Sequence, residues 1–171
     1  MNEFIGTKMI KATEMNRRDY NIYRGWDMPK NEGGSDEGYL VEYLDGGPAN
    51  DPARHAGYIS WSPKEVFDAS YQSTSAMNFG HALDILKRGE AVCRKGWNGK
   101  RMFLYLVPAP EKGYPAQQGI AKKFWGENAL VPYGGYIAMK TADGMVVPWL
   151  CSQTDALADD WMIVDIDDLV E

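Results

Sequence analysis

The run that most constrains this chain is residues 78–108, NFGHALDILKRGEAVCRKGWNGKRMFLYLVP. Its residue pattern changes twice within thirty positions, and each change marks an element. Asn78 suits a helix N-cap, because its side-chain oxygen can accept from the free N–H groups of a first turn. Phe79, Ala82, Leu83 and Leu86 then recur at helical spacing. Gly89 is placed to end the helix in a left-handed conformation. Residues 91–95 read as a short strand, Asn98-Gly99 as a hairpin turn, and residues 102–107 as a second strand. The expected unit is a helix packed on a two-stranded hairpin.

The turn of that hairpin concentrates chemistry. Arg94, Lys95, Lys100 and Arg101 surround Trp97 and Asn98, so four cations, an indole face and an amide converge on one end. Such a group can grip a phosphorylated base. The same residues also fit a plainer role, in which the cations are a solvated turn and Trp97 closes the core from above. Both readings stand at this point.

The charge balance narrows the partners. A formal charge of -6 over 171 residues argues against a general DNA or RNA binder, whose footprint is usually a basic domain. The charge is uneven: residues 1–76 hold 8 Lys and Arg against 12 Asp and Glu, residues 77–164 hold 10 against 8, and residues 165–171 add four acids. The second half without its tail is the mildly cationic part. Cys93 and Cys151 belong to no CxxC pattern, so two buried, reduced thiols are expected rather than a zinc site or a disulfide framework. No apolar run is long enough to span a bilayer and no signal-peptide core is visible, so a cytosolic location is expected, with no membrane partner.

The first seventy residues alternate strand-like runs with turn clusters. Strands are expected over residues 4–12, 39–44 and 57–61, and a short helix over 17–24. Ser62-Pro63-Lys64-Glu65 reads as a helix start with Ser62 as cap and Pro63 at the first helical position, turning Val66 and Phe67 inward before an end near Tyr71. The nine aromatics from Tyr20 to Tyr71 are read chiefly as its core, with an interaction surface as the alternative. His55 stands in a loop with no nucleophile or carboxylate at a recognisable spacing. The small polar residues 73–76 form the expected linker, dividing a module over 1–72 from a domain over 77–171.

After the hairpin comes a long connection, residues 109–119, followed by a helix-like run at 120–124 closed by Trp125 and Gly126. Strands at 133–141 and 145–149 flank the turn pair Asp143-Gly144. Ser152-Gln153-Thr154-Asp155 has the form of a capping box before a short helix with Ala156 and Leu157 turned inward; residues 161–166 are a last strand, and the acidic end is expected to fray. The fold class is α+β: a small antiparallel sheet packed with a capped helix, preceded by a second small α+β module. No dinucleotide fingerprint, phosphate loop or HExxH is present, and no cofactor is implied. His81 has no second histidine at metal spacing, and caps and turns account for Asp155, Asp159 and Asp160 more simply than a cation site does.

Three segments together, MNFGHALDILKRGEAVCRKGWNGKRMFLYLVPA, VPYGGYIAMKTADG and PWLCSQTDALADDWMIV, resemble the phage Thoeris anti-defence family of the second type. The resemblance covers residues 77–164 and leaves 1–76 outside it; that first part resembles a phage module of unknown role. The resemblance implies a sponge acting in the bacterial host cytoplasm rather than an enzyme. Such a protein binds a cyclic nucleotide immune signal, a glycocyclic ADP-ribose made from NAD, and in some relatives cyclic oligonucleotides, without cleaving it. It further implies a homo-oligomer, a dimer or tetramer, with ligand pockets between subunits. Carried onto this sequence, Trp97 is the foremost ligand-binding position, followed by Asn98, Met102 and Phe103, with Pro148, Trp149, Ser152 and Asp155 from the closing motif, and Arg94 and Lys100 as the turn's cations. The competing classes are a phage structural or host-protein-binding module and, less favoured for want of paired histidines, a cyclic nucleotide phosphodiesterase.

Overall fold

A computed structural model describes residues 1–97 and 101–169. The chain divides into two compact units, Met1–Gln72 and Ser73–Glu171, and both are α+β with antiparallel sheets.

The first unit is a three-stranded sheet with two short helices. Its strands are β1 (Ile10–Glu14), β2 (Gly38–Tyr43) and β3 (Tyr58–Pro63), in the order β1-β2-β3. Helix α1 (Arg17–Arg24) starts on Asn16, whose side chain accepts the Asp19 N–H at 2.8 Å, and stops at Gly25 with φ +68°. Tyr20, Leu40 and Ile59 are buried together, with Met15, Tyr23 and Trp61 packed around them. Helix α2 (Lys64–Ser70) lays Phe67 flat on Tyr39 at 3.9 Å between ring centroids.

Three details correct the sequence reading. The first strand lies at Ile10–Glu14 rather than 4–12, and Phe4 and Ile5 are fully exposed. Most side chains of β1 face water, so ladder pairing with β2, from Ile10 opposite Tyr43 to Glu14 opposite Tyr39, sets its position, and apolar content does not. Ser62 caps nothing: it pairs with Tyr39 inside β3, and α2 begins on Pro63 without a side-chain cap. Val66 points outward, since the seven-residue helix has room for a single inward aromatic, Phe67.

The second unit is built on a five-stranded antiparallel sheet of order β10-β4-β5-β8-β9. Helix α3 (Phe79–Lys87) is capped by Asn78, whose side chain accepts the His81 N–H at 3.0 Å, a contact worth about 1 kcal/mol. Ala82, Ile85 and Leu86 form its buried stripe, so Ile85 joins the expected set while Leu83 is only half-buried. Gly89, at φ +90°, takes the left-handed position after the helix. The helix lies against β4 (Ala91–Arg94), β5 (Phe103–Val107) and β10 (Trp161–Val164). Val92, Leu104 and Trp161 are completely buried there. Truncating such an aromatic to alanine typically costs about 3–5 kcal/mol.

The hairpin differs from its expected form. A two-residue turn at Asn98-Gly99 would set Cys93 opposite Leu104, whereas Val92 stands there. Strand β4 stops at Arg94 and a single 3-10 turn covers Lys95–Trp97. The pair Asn98-Gly99 itself lies outside the described residues.

Beyond β5 the long connection carries its own structure. β6 (Tyr114–Pro115) pairs with β7 (Leu130–Val131), and α4 (Gly119–Trp125) joins them over the small core of Ala116, Ala121 and Val131. The chain then returns through β8 (Tyr136–Lys140) and β9 (Val146–Pro148), whose turn is closed by the Thr141 N–H to the Met145 carbonyl at 2.8 Å. Helix α5 (Gln153–Ala156) follows. Both Ala156 and Leu157 are exposed rather than inward, because α5 is one turn long and is held by its polar side. Residues 165–169 form a turn, with the Leu169 N–H donated to the Ile166 carbonyl at 2.9 Å. The free flank of β10 is met by residues 74–77: Met77 and Trp161 exchange backbone hydrogen bonds, and Ile163 N–H reaches the Thr74 carbonyl. Among the described residues no helix is long and apolar enough to cross a membrane.

Candidate functional site

Strand pairing sets Arg94 opposite Trp161, and this one register position organises the end of the sheet. Arg94 extends to two carboxylates, its Nη1 to Asp155 at 2.9 Å and its Nε to Asp160 at 2.7 Å. Ser152 caps α5 by accepting the Asp155 N–H at 3.1 Å and donating its hydroxyl to the Asp155 carboxylate at 2.7 Å. Trp161 donates its indole N–H to the Asp155 carbonyl at 3.0 Å. Arg94 thereby ties α5 and the start of β10 to β4. The guanidinium holds the Asp160 carboxyl below the usual carboxylate range. Burial pushes Asp155 up, but the Ser152 hydroxyl and Arg94 outweigh it and the net shift is downward.

Around Trp161 stands an aromatic cluster. Phe79 lies 5.3 Å from it, Trp97 5.6 Å in an edge-to-face contact, and Trp149 6.0 Å, also edge-to-face. Trp161 is fully buried, while Trp97 and Trp149 are half-buried. Trp97 thus does brace the core, as the plainer reading of the turn held. It also lines a cavity.

That cavity has a volume of about 400 Å³. Cys93 and Met162, paired across the β4–β10 ladder, line it together with Met102 and Val164. Lys95, Trp97 and Arg101 come from the turn, and Asp165, Asp168 and Leu169 from the C-terminal turn. Arg101 has φ +52°, a left-handed conformation found at no other non-glycine position among the described residues. Burial raises the thiol pKa values of both Cys93 and Cys151, which keeps them protonated and poorly nucleophilic; both are half-buried rather than buried.

The residues singled out from the sequence therefore separate into groups. Trp97, Met102 and Arg94 meet at the cavity. Arg94 was placed among cations open to a ligand, yet both of its bonded nitrogens are taken by Asp155 and Asp160. Trp149 and Asp155 each contact Trp161, and Ser152 is bonded to Asp155 as the cap of α5, so each already has a structural partner. In the first turn of α5 the Asp155 N–H is taken by the Ser152 hydroxyl. Phe103 packs beside Tyr105 on β5, and Pro148 sits exposed on β9 opposite Ala138. Asn98 and Lys100 lie outside the described residues.

Two features were not read from the sequence. Lys95 and the acidic turn at 165–168 reach the cavity although the former was named only as part of a cluster and the latter as a frayed end. In the first unit, His55 is not isolated: its Nε2 meets the Tyr23 hydroxyl at 2.7 Å and its Nδ1 meets Glu42 at 3.2 Å. Glu42 also accepts the Gly57 N–H at 2.9 Å, and these contacts hold its carboxyl below the ordinary range. The first unit also has a concavity of about 680 Å³ over Tyr43 and Tyr58 and one of about 440 Å³ beside Asp19 and Lys64. Among the described residues no group of three His, Cys, Asp or Glu side chains is placed to hold a metal ion.

Comparison with known proteins bears on the second unit. The family of the Thoeris anti-defense 2-like domain matches residues 77–164. The protein Thoeris anti-defense 2 of Bacillus phage SP01 is 45% identical over 92 residues, which is 52% of this chain and 94% of that relative. The matched segment includes α3, the turn with Trp97, the Arg94–Asp155–Asp160 clamp and β10. The chain therefore belongs to the Thoeris anti-defense 2-like family, a family of phage anti-defence proteins.

Proposed function

We propose that the second unit binds a cyclic nucleotide immune signal and sequesters it uncleaved, with the cavity beside Trp97 as the binding site. Family membership supports a phage anti-defence role. The ligand suggested by the resemblance is a glycocyclic ADP-ribose, with cyclic oligonucleotides as further ligands. The observation that carries the reading is the placement of Trp97: it is half-buried, braced by Trp161, and shares a cavity with Lys95 and Arg101. An indole held in this way stacks on a purine, and the adjacent cations meet its phosphates.

The magnitudes require a second copy of the chain. A stacked base contributes about 1–3 kcal/mol, whereas nanomolar capture needs about 12 kcal/mol. A one-sided cavity of about 400 Å³ covers part of a cyclic dinucleotide-sized ligand. A homo-oligomer, dimer or tetramer, closes the remaining sides. The face suited to self-association is α4 and its flanks, where Ile120 and Phe124 are nearly four-fifths exposed and Trp125 and Leu130 about half. Apolar side chains this exposed and this close together mark an interaction surface.

The test is capture and release. Purified protein is mixed with the product of a Thoeris TIR-domain enzyme and removed by filtration; the filtrate and the heated protein fraction are then assayed for effector activation. Loss of activity followed by its recovery on heating is the expected result, with Trp97→Ala weakening capture by about ten- to a hundredfold, the equivalent of one lost stacking contact. An undiminished filtrate refutes the reading, and loss without recovery points to degradation instead.

A further inference from the structure

The cavity beside Trp97 is not an all-cationic cradle. Lys95 and Arg101 stand on its turn side, while Asp165 and Asp168 contribute two carboxylates from the C-terminal turn. Arg94 adds no net positive charge, because Asp155 and Asp160 both bind it. The described lining thus balances its cations with carboxylates. The C-terminal turn is also a defined structure: Asp165 accepts the Asp167 N–H at 3.0 Å, and the Leu169 N–H closes the turn on the Ile166 carbonyl. Both acids are exposed side chains at the rim, so neither is kept there to satisfy a buried partner.

We infer that the acidic turn at Asp165 and Asp168 is a charge-selecting element of this cavity, which admits ligands of low net charge and rejects polyanionic linear nucleotides. The inference rests on the reading of the cavity as an anion-accepting ligand site. A site with cations alone grows tighter with every added phosphate charge, and a cell rich in nucleoside triphosphates would fill it. Two carboxylates lining the same cavity cancel that trend. A cyclised ligand whose pyrophosphate carries two charges pairs with Lys95 and Arg101, while each further phosphate charge is left facing Asp165 and Asp168. The role belongs to the rim of the cavity and not to its aromatic wall.

The probes are inorganic phosphate, pyrophosphate and tripolyphosphate, titrated by calorimetry at fixed ionic strength into the full chain and into a D165N/D168N variant. Asparagine at 165 keeps an oxygen for the Asp167 N–H, so the turn is retained. Affinity in the unaltered chain is expected to stay level from phosphate to tripolyphosphate. In the variant it is expected to rise about three- to tenfold per added charge, the size of one unscreened neighbour at this range. A chain ending at Val164 provides a second variant and is expected to show the same rise. Equal slopes in the unaltered chain and both variants, or no anion binding in any of them, overturn the inference. Signal capture is scored separately: capture with equal slopes sinks the charge selection alone, whereas a slope change without capture sinks the sponge reading alone.

Discussion

Replacing Arg94 with methionine tests the clamp that holds the site's architecture. Methionine keeps the length and apolar stem of the side chain while removing both hydrogen-bonded nitrogens, so packing changes little and two carboxylates lose their counter-ion. Exposed ion pairs contribute about 0–1 kcal/mol, and removing one partner of a fully buried pair costs about 3–5 kcal/mol. Here Arg94 is 19% exposed, Asp155 18% and Asp160 34%. After discounting for solvent screening at Asp160, the expected loss is about 2 kcal/mol. That corresponds to roughly thirtyfold faster hydrogen exchange at amides that open with the unit. The assay is exchange mass spectrometry on peptides covering β4 and β10, which reads the second unit separately from the first. The pH dependence has a fixed sign. Asp160 and Asp155 have lowered folded-state pKa values, so their stabilisation is present above about pH 4 and fades as pH falls through the folded values. After correction for intrinsic rates, the gap between the two proteins should therefore narrow between pH 5 and about pH 3. Equal exchange at pH 7, or a gap that persists undiminished in acid, refutes the clamp.

Further outcomes follow from single side chains. Ser152→Ala removes the α5 cap and should cost about 1 kcal/mol, read as a lower thermal midpoint of the second unit. Arg101→Gly should weaken pyrophosphate binding and should be more stable than Arg101→Ala by about 1 kcal/mol, because glycine adopts φ +52° without strain; equal stability of the two variants contradicts this. Phe124→Glu, on the exposed face of α4, should leave the melting curve in place and convert an oligomer to a monomer in light scattering.

Much of the second unit was legible because its punctuation is local. Asn78 and Ser152 bond to N–H groups three residues away, and Gly89 needs nothing beyond its own backbone. Spacing alone also finds Ala82 and Leu86 on the buried face of α3, while it misses Ile85 and takes the half-buried Leu83 in its place. The register of β4 on β5 was not legible in this way. The Asn98-Gly99 pair argues for a two-residue turn, but the 3-10 turn at Lys95–Trp97 takes up chain before it and moves Val92 opposite Leu104. In the first unit Ser62 carries a convincing capping pattern, and ladder pairing with Tyr39 overrides it.

The site was half legible for the same reason. Sequence proximity correctly gathers Arg94, Lys95, Trp97 and Arg101, but charge neighbours along a chain need not share a fate in space. Arg94 points to Asp155 and Asp160, which lie 61 and 66 residues later. Lys95, one residue further on, remains at the cavity rim. The end of the strand is what separates them: the pairing of Arg94 with Trp161 commits the guanidinium to the aromatic end of the sheet, where the two carboxylates bind it. Lys95 escapes because the strand ends at Arg94. The charge at the rim of this cavity is thus shaped by where β4 stops. Had β4 continued by one residue, alternation would put Lys95 on the face of Cys93, which lines the same cavity, so the turn sets how Lys95 reaches the rim and not whether it does.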